Sequence, residues 1–158
     1  MGAGPSTQTA AAKFDANIRG TVSFTHIGRK TVRVKGELTG LQAGLHGMHV
    51  HMYGDVGNAC MAAGAHFDPD RESHGGRTGL HRHGGDLGNI QADSGGKASF
   101  EFEQRGLQLF GATGIVGRTL VIHADRDDLG LGVGKNRNES LKTGNSGARV
   151  ACAIIGIR

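Results

Sequence analysis

The segment from His46 to Asp86, HGMHVHMYGDVGNACMAAGAHFDPDRESHGGRTGLHRHGGD, constrains this chain more than any other stretch. It holds seven of the nine histidines and one of the two cysteines. Imidazole nitrogens and carboxylate oxygens are the donors that copper and zinc take. In His49-Val50-His51 the two rings stand on alternate residues, so a strand turns both to one face and onto one ion. His66, His74, His83 and Asp86 form a second, spaced series. Gly84-Gly85 lets the backbone turn tightly enough for three imidazoles and a carboxylate to close a tetrahedral cage. Two metal sites sharing one segment is the reading this pattern supports.

The rest of the chain reads as short strands. Ile18, Gly20, Val22 and Phe24 alternate with polar neighbours, as do Val32, Val34, Gly36 and Leu38. A Gly-rich connection leads into His46–His51. From Tyr53 to Asp86 no period is sustained, and so long an irregular segment inside a compact domain needs a function or a clamp. Regular structure resumes at Leu87, with a hairpin turn at Asp93-Ser94-Gly95-Gly96 and alternation through Ala98, Phe100 and Phe102. Leu107–Leu109, Arg118–His123 and Arg149–Ile157 supply further strands, and Ala124 to Ala148 is a second irregular segment. Eight short antiparallel strands and two long loops predict an all-β barrel or sandwich. The 29 glycines, without a three-residue period, fit many turns.

At 158 residues the chain suits one domain, taken as 14–158 behind a flexible segment 1–13. No apolar run approaches the ~18 residues of a membrane span. The start, MGAGPSTQTAAAK, lacks a basic region followed by an apolar stretch, so a cytoplasmic protein is expected. Gly2 and Ser6 match only a loose myristoylation pattern. The net charge of +4 comes from scattered cations, the densest set being Arg29, Lys30, Arg33 and Lys35 on an alternating strand. That set reads as a solvated face, which argues against a nucleic-acid partner. A small anionic substrate gains from the positive field.

The His49–Asp86 series, GRTLVIHADRDDLG and GNSGARVACAIIGI together resemble copper/zinc superoxide dismutase from about Phe14 to Ile157. The resemblance implies an eight-stranded Greek-key β-barrel with a metal-binding loop and a channel-side electrostatic loop. It implies copper on His49, His51, His66 and His123, and zinc on His66, His74, His83 and Asp86. His66 then bridges the two ions. It implies disproportionation of superoxide to dioxygen and hydrogen peroxide by alternate reduction and oxidation of the copper, with His66 carrying a proton. Arg149 matches the arginine at the channel mouth, with Lys142 and Thr143 flanking the channel. Asp127 matches a carboxylate that orients ligand histidines of both sites. Cys60 and Cys152 match an intrasubunit disulfide, and His46 a histidine packed behind the copper loop. His26 and His81 read as solvated. The final strand, apolar on both faces, suggests burial against a second subunit, and the resemblance implies a homodimer. A copper-delivery protein is a further partner of such a chain.

The chain departs from the family pattern between Asp128 and Thr143. The loop LGLGVGKNRNESLK is longer than usual and carries Lys135 and Arg137 where acids are common, leaving Glu139 as its acid. That bears on how an anion is steered. The rival reading is a copper/zinc-binding module without redox catalysis. The complete set of ligand histidines and Arg149 favours the enzyme.

Overall fold

The computed structural model describes residues 7–158, so the Gly2/Ser6 pattern lies outside the described residues. Nine strands follow in order: β1 (Thr9–Asp15), β2 (Arg19–Gly28), β3 (Thr31–Thr39), β4 (Gly44–His51), β5 (Asp86–Ala92), β6 (Ala98–Arg105), β7 (Thr119–His123), β8 (Arg149–Ile154) and β9 (Gly156–Ile157). They form two antiparallel sheets, ordered β6-β3-β2-β1-β9 and β5-β4-β7-β8. The seven-residue helix α1 (Arg137–Thr143) lies in the second long loop. The all-β architecture expected from the alternation is the one observed.

Four details differ from the sequence reading. Residues 9–13, grouped there with a flexible segment, are strand: β1 pairs with β2 from Thr9↔Thr25 to Asp15↔Arg19. Its apolar face is made of small alanines and Phe14, a weak signal in sequence but a close fit in the core. Leu107 and Leu109 are buried, yet they join no sheet; only an isolated bridge, Gln108↔Gly114, forms there. The final strand is split at Ile155, whose backbone turns to Arg118 and Gly117 while Gly156–Ile157 pairs with β1. The Asp93–Gly96 turn forms, with Asp93 Oδ1 accepting from Gly95 N and Lys97 N at 2.9 Å each. However, its flanking strands β5 and β6 lie in different sheets, so it joins the sheets instead of closing a hairpin.

Strand β3 shows how a half-buried strand packs. Val32, Val34 and Leu38 are fully buried, while Arg33, Lys35 and Glu37 face water. Strands β4 and β7 differ, being buried on both faces over His46–His51 and Thr119–His123. One face sends Met48, Val50, Leu120 and Ile122 into the core. The other carries His49, His51, Val121 and His123, in the register His49↔Val121 and His51↔Thr119. The long loops 52–85 and 124–148 cover that second face. A rigid double strand under a loop roof therefore positions the histidines.

The core and the histidine face are separate layers, which a mutation can distinguish. Leu38→Ala, on the far sheet, is expected to lose about 2–5 kcal/mol of unfolding free energy. Urea unfolding should show the lowered midpoint, and metal content per folded chain should be unchanged.

Candidate metal centre

Six buried histidines meet two buried carboxylates where the roof touches β4 and β7. The organising group is Asp127. Its Oδ2 accepts from His49 Nε2 and its Oδ1 from His74 Nε2, each at 2.7 Å. Burial pushes the Asp127 carboxyl up, but the bonds from His49 and His74 outweigh it and hold the pKa at about 2. The carboxylate is thus ionised at neutral pH and accepts only. Both Nε2 atoms must carry the protons, which leaves each Nδ1 facing the opposite way.

The other rings are fixed in the same manner by backbone carbonyls. His51 Nδ1 donates to Gly64 O at 2.8 Å, and His123 Nδ1 to Gly147 O at 3.1 Å. Their Nε2 atoms then face each other at 3.3 Å. One donor atom from each of His49, His51, His66 and His123 lies within 4.8 Å of the others. Burial and the neighbouring His66 ring depress His49 to a pKa of about 3. Burial likewise depresses His123 to about 4, against its bond to Gly147. His51 and His66 are lowered for the same first reason. These are neutral imidazoles with lone pairs turned inward.

The second cluster is built around Asp86. Its Oδ2 accepts from His83 N at 2.8 Å and Gly75 N at 3.1 Å. That leaves Oδ1 to the rings: 3.0 Å from His66 Nδ1, 3.0 Å from His74 Nδ1 and 3.4 Å from His83 Nδ1. His83 Nδ1 is also 3.2 Å from His66 Nδ1. His49, which stacks on His66 with centroids 4.0 Å apart, has a donor atom within 4.8 Å of those of His66, His74 and Asp86. Burial opposes protonation of His74, but the bond to Asp127 and the nearby Asp86 outweigh it and raise its pKa to about 9. The Asp86 carboxyl is held well below the usual range by the three histidines, against the effect of burial.

Two buried ring nitrogens, His49 Nδ1 and His66 Nε2, have no hydrogen-bond partner, and His74 Nδ1 faces only the Asp86 carboxylate, 3.0 Å away and off a hydrogen-bond line. A buried polar atom left without a partner costs about 1–3 kcal/mol, so such a set calls for a ligand. His66 belongs to both groups, and its Nδ1 is the atom beside Asp86. The donor chemistry, nitrogens for one ion and nitrogens plus one carboxylate for the other, fits copper and zinc.

Arg149 follows His123 across β7–β8, donates from Nη1 to Cys60 O at 2.9 Å and lines a cavity of about 940 Å³. His51, His66, His123, Lys142 and Thr143 line the same cavity. Cys60 and Cys152 are joined by a disulfide across 92 residues. Closing a loop of that length stabilises by about 4–5 kcal/mol in the chain-entropy account. The bridge also fixes the carbonyl that holds Arg149. Gly84 and Gly85 do not need the left-handed region; Gly85 is required because a Cβ there would sit 2.1 Å from Val50 O. His46 is buried, with Nδ1 2.8 Å from His123 O and Nε2 2.8 Å from Gln42 O. His81 is exposed and pairs with Glu72.

The family model described as copper/zinc superoxide dismutase matches residues 18–155. The chain is 50% identical over 143 residues to an extracellular superoxide dismutase [Cu-Zn] of Brugia pahangi, covering 90% of this chain and 71% of that one. It is 55% identical over 124 residues to a superoxide dismutase [Cu-Zn] of Onchocerca volvulus, covering 78% of each. The crystal structure of the clock protein EA4 superposes with a TM-score of 0.89 at 39% identity over the full length of both chains. This chain belongs to the copper/zinc superoxide dismutase family.

Within this dismutase, three supporting residues were not singled out from sequence. Asn89 pairs with the Asp127 backbone, accepting from its N–H at 2.7 Å and donating to its carbonyl at 2.9 Å. Arg118 lies 3.8 Å over the Phe67 ring and donates to Met52 O at 2.8 Å. Arg82 donates to the carbonyls of His83 and Gly84 beside the Asp86 cluster. Because β5 also carries Asp86 and Gln91, Asn89 did not stand out in the sequence. Gly144 is equally needed: at φ +72°, a Cβ would sit 2.0 Å from Asp127 Oδ1.

Two outcomes follow for the metal-free and metal-loaded dismutase. His49 and His123 titrate below 6.5 when folded, so their stabilisation is complete above pH 6.5 and is lost as pH falls toward 4 and then 3. His74, raised, contributes below 6.5 and loses that contribution as pH rises through about 9. Urea unfolding of metal-free protein should therefore weaken on both sides, and a flat profile from pH 6.5 to 4 would contradict it. Asp127→Ala should lower metal affinity roughly 10- to 100-fold, read by competition with a chelator.

Proposed function

We propose that His49, His51, His66 and His123 hold copper, and that His66, His74, His83 and Asp86 hold zinc, with His66 shared. The protein is an enzyme of superoxide disproportionation, converting two superoxide anions and two protons to dioxygen and hydrogen peroxide. The observation that carries the assignment is the pair of buried, partnerless nitrogens His49 Nδ1 and His66 Nε2, with His74 Nδ1 turned to the Asp86 carboxylate at 3.0 Å. When bound, copper would supply the one-electron change in each half-reaction, and zinc would keep the His66 ring in place.

The protein residues prepare and complete that chemistry. Arg149 keeps a charged guanidinium in the cavity, and its bond to Cys60 O leaves other N–H groups for the anion. Lys142 and Thr143 form the wall beside it and narrow the approach. In this reading His66 Nε2 is the atom that holds and gives up a proton, since it is buried without a partner in a ring grouped with His49, His51 and His123. Asp127 prevents the His49 and His74 rings from flipping. A binding module without redox catalysis is disfavoured by the family identity and by the intact Arg149 cavity.

A homodimer through the outer face of β8 is part of this reading. Val150 and Ile154 are each almost half exposed there, beside the exposed Tyr53 and Val56. Copper is supplied by a delivery protein in the same reading. For compartment, the cytoplasm expected from the N-terminal residues stands against relatives named extracellular in Brugia pahangi and Onchocerca volvulus. The disulfide also suits an oxidising compartment. Cell fractionation and assay of the medium decide between them.

His49→Ala should abolish copper-dependent superoxide consumption and copper retention while the circular dichroism of the fold persists. Arg149→Ala should keep both metals and slow consumption roughly tenfold or more, with a weaker dependence on ionic strength. Full activity in His49→Ala would overturn the ligand assignment.

A further inference from the structure

Four rings of the centre have a hydrogen-bond acceptor at the nitrogen turned outward. His49 and His74 give their Nε2 protons to Asp127 at 2.7 Å each. His51 and His123 give their Nδ1 protons to the carbonyls of Gly64 and Gly147 at 2.8 and 3.1 Å. Among the rings that the proposed ligand set assigns to a single ion, His83 alone lacks such a bond. Its Nδ1 lies on the inner side, 3.2 Å from His66 Nδ1 and 3.4 Å from Asp86 Oδ1. Its Nε2 therefore faces the other way, on a side chain that is only 10% exposed. The carboxylate it faces is Asp68, whose Oδ2 is 4.0 Å away.

Asp68 is held in that place by its neighbours. Phe67 N donates to Val50 O and Gly85 N donates to Phe67 O, both at 2.8 Å, so the residue before Asp68 is tied to the turn after His83. Pro69 packs on the same turn, where a Cβ on Gly84 would sit 2.9 Å from Pro69 Cδ. Asp68 Oδ1 accepts from Glu72 N at 3.0 Å, which leaves Oδ2 as the oxygen toward His83. The Asp68 side chain is 22% exposed, and both residues line the Arg149 cavity.

We infer that Asp68 is the positioning residue of His83: its Oδ2 accepts the Nε2 proton and so keeps the Nδ1 lone pair turned toward the Asp86 cluster. The inference rests on the ligand set given under Proposed function. A ring that ligates through Nδ1 carries its proton on Nε2, and a buried N–H calls for an acceptor. The pair stands about 1 Å beyond a charge-assisted bond, a gap that a small turn of either side chain closes. A carboxylate in this position also makes the ring a stronger donor to a metal. An amide does not replace it. Asparagine has one acceptor oxygen, which serves either the Glu72 N–H or the His83 N–H but not both.

Proton NMR of protein carrying copper at the histidine cluster and cobalt at the Asp86 cluster tests this, because cobalt moves the N–H signals of its ligand rings clear of the other resonances. The N–H signal assigned to His83 should exchange slowly with deuterated solvent in the unaltered protein. Asp68→Asn, of the same shape and still able to bond Glu72 N–H, should speed that exchange at least ~10-fold, the scale of losing a charge-assisted bond. The His74 signal, held by Asp127, should not change. Zinc affinity in the same variant should fall roughly 10-fold by chelator competition, and Asp68→Glu, a carboxylate of longer reach, should restore both readouts. Unchanged His83 exchange in Asp68→Asn would overturn the inference and leave the ligand set standing. Equal acceleration at His74 would mean that Asp68 only braces the loop, and would overturn it too. No cobalt-shifted His83 signal in the unaltered protein would overturn the inference and the ligand set together.

Discussion

One buried carboxylate sets the geometry of the whole centre. Asp127, fully enclosed and ionised, takes an N–H from a ring in each cluster at 2.7 Å. A neutral imidazole that donates from one nitrogen accepts at the other, so this single group turns a nitrogen lone pair of His49 inward. It also holds His74 so that Nδ1 meets Asp86. The cost of burying an anion is offset by two charge-assisted bonds and by the backbone N–H of Leu129 at 2.8 Å. Asn89 and Gly144 matter through Asp127: one grips its backbone, and the other leaves the space that its carboxylate fills.

The barrel strands and the loops divide the labour. β4 and β7 bury both faces, giving the core Met48, Val50, Leu120 and Ile122 and the centre His49, His51 and His123. Residues on such strands are placed by ladders of hydrogen bonds and move little. His66, His74 and His83 come from a loop whose one regular element is a short helical turn at Met61–Ala63, and the first half of that loop is held at two points. The disulfide fixes it to β8, and Arg118 stacks on Phe67 next to His66. The His66 ring is therefore delivered from the loop side onto the strands.

Much of this was legible in the chain. The His49-Val50-His51 alternation follows from strand pleat; the two clusters gather His49, His51, His66, His74, His123 and Asp86, with His49 in the second where the sequence reading had His83. β3 and β6 also read directly from alternation. What stayed hidden depends on tertiary burial. β1 carries alanines, whose packing value appears only when the opposite sheet is in place. Leu107 and Leu109 alternate as a strand would, yet sequence does not tell a buried loop residue from a strand residue. Asn89 and Arg118 act through backbone atoms of segments far along the chain, and residue type alone records no such partner. The cation-rich 128–143 loop read as altered steering; in the structure Glu139 accepts from Thr143 Oγ1 at 2.9 Å, so its carboxylate is held by the loop itself.

The central claim is that one ring, His66, serves two metal ions at once. Electron paramagnetic resonance of protein carrying copper at the histidine cluster and cobalt at the Asp86 cluster tests it most directly. A shared imidazolate couples the two unpaired-electron centres, so the copper(II) signal should vanish with about one of each ion bound per chain, as two separate sites require. It should return when diamagnetic zinc replaces cobalt. A copper signal of full intensity beside bound cobalt would mean that His66 does not bridge, and the account of the centre would fail.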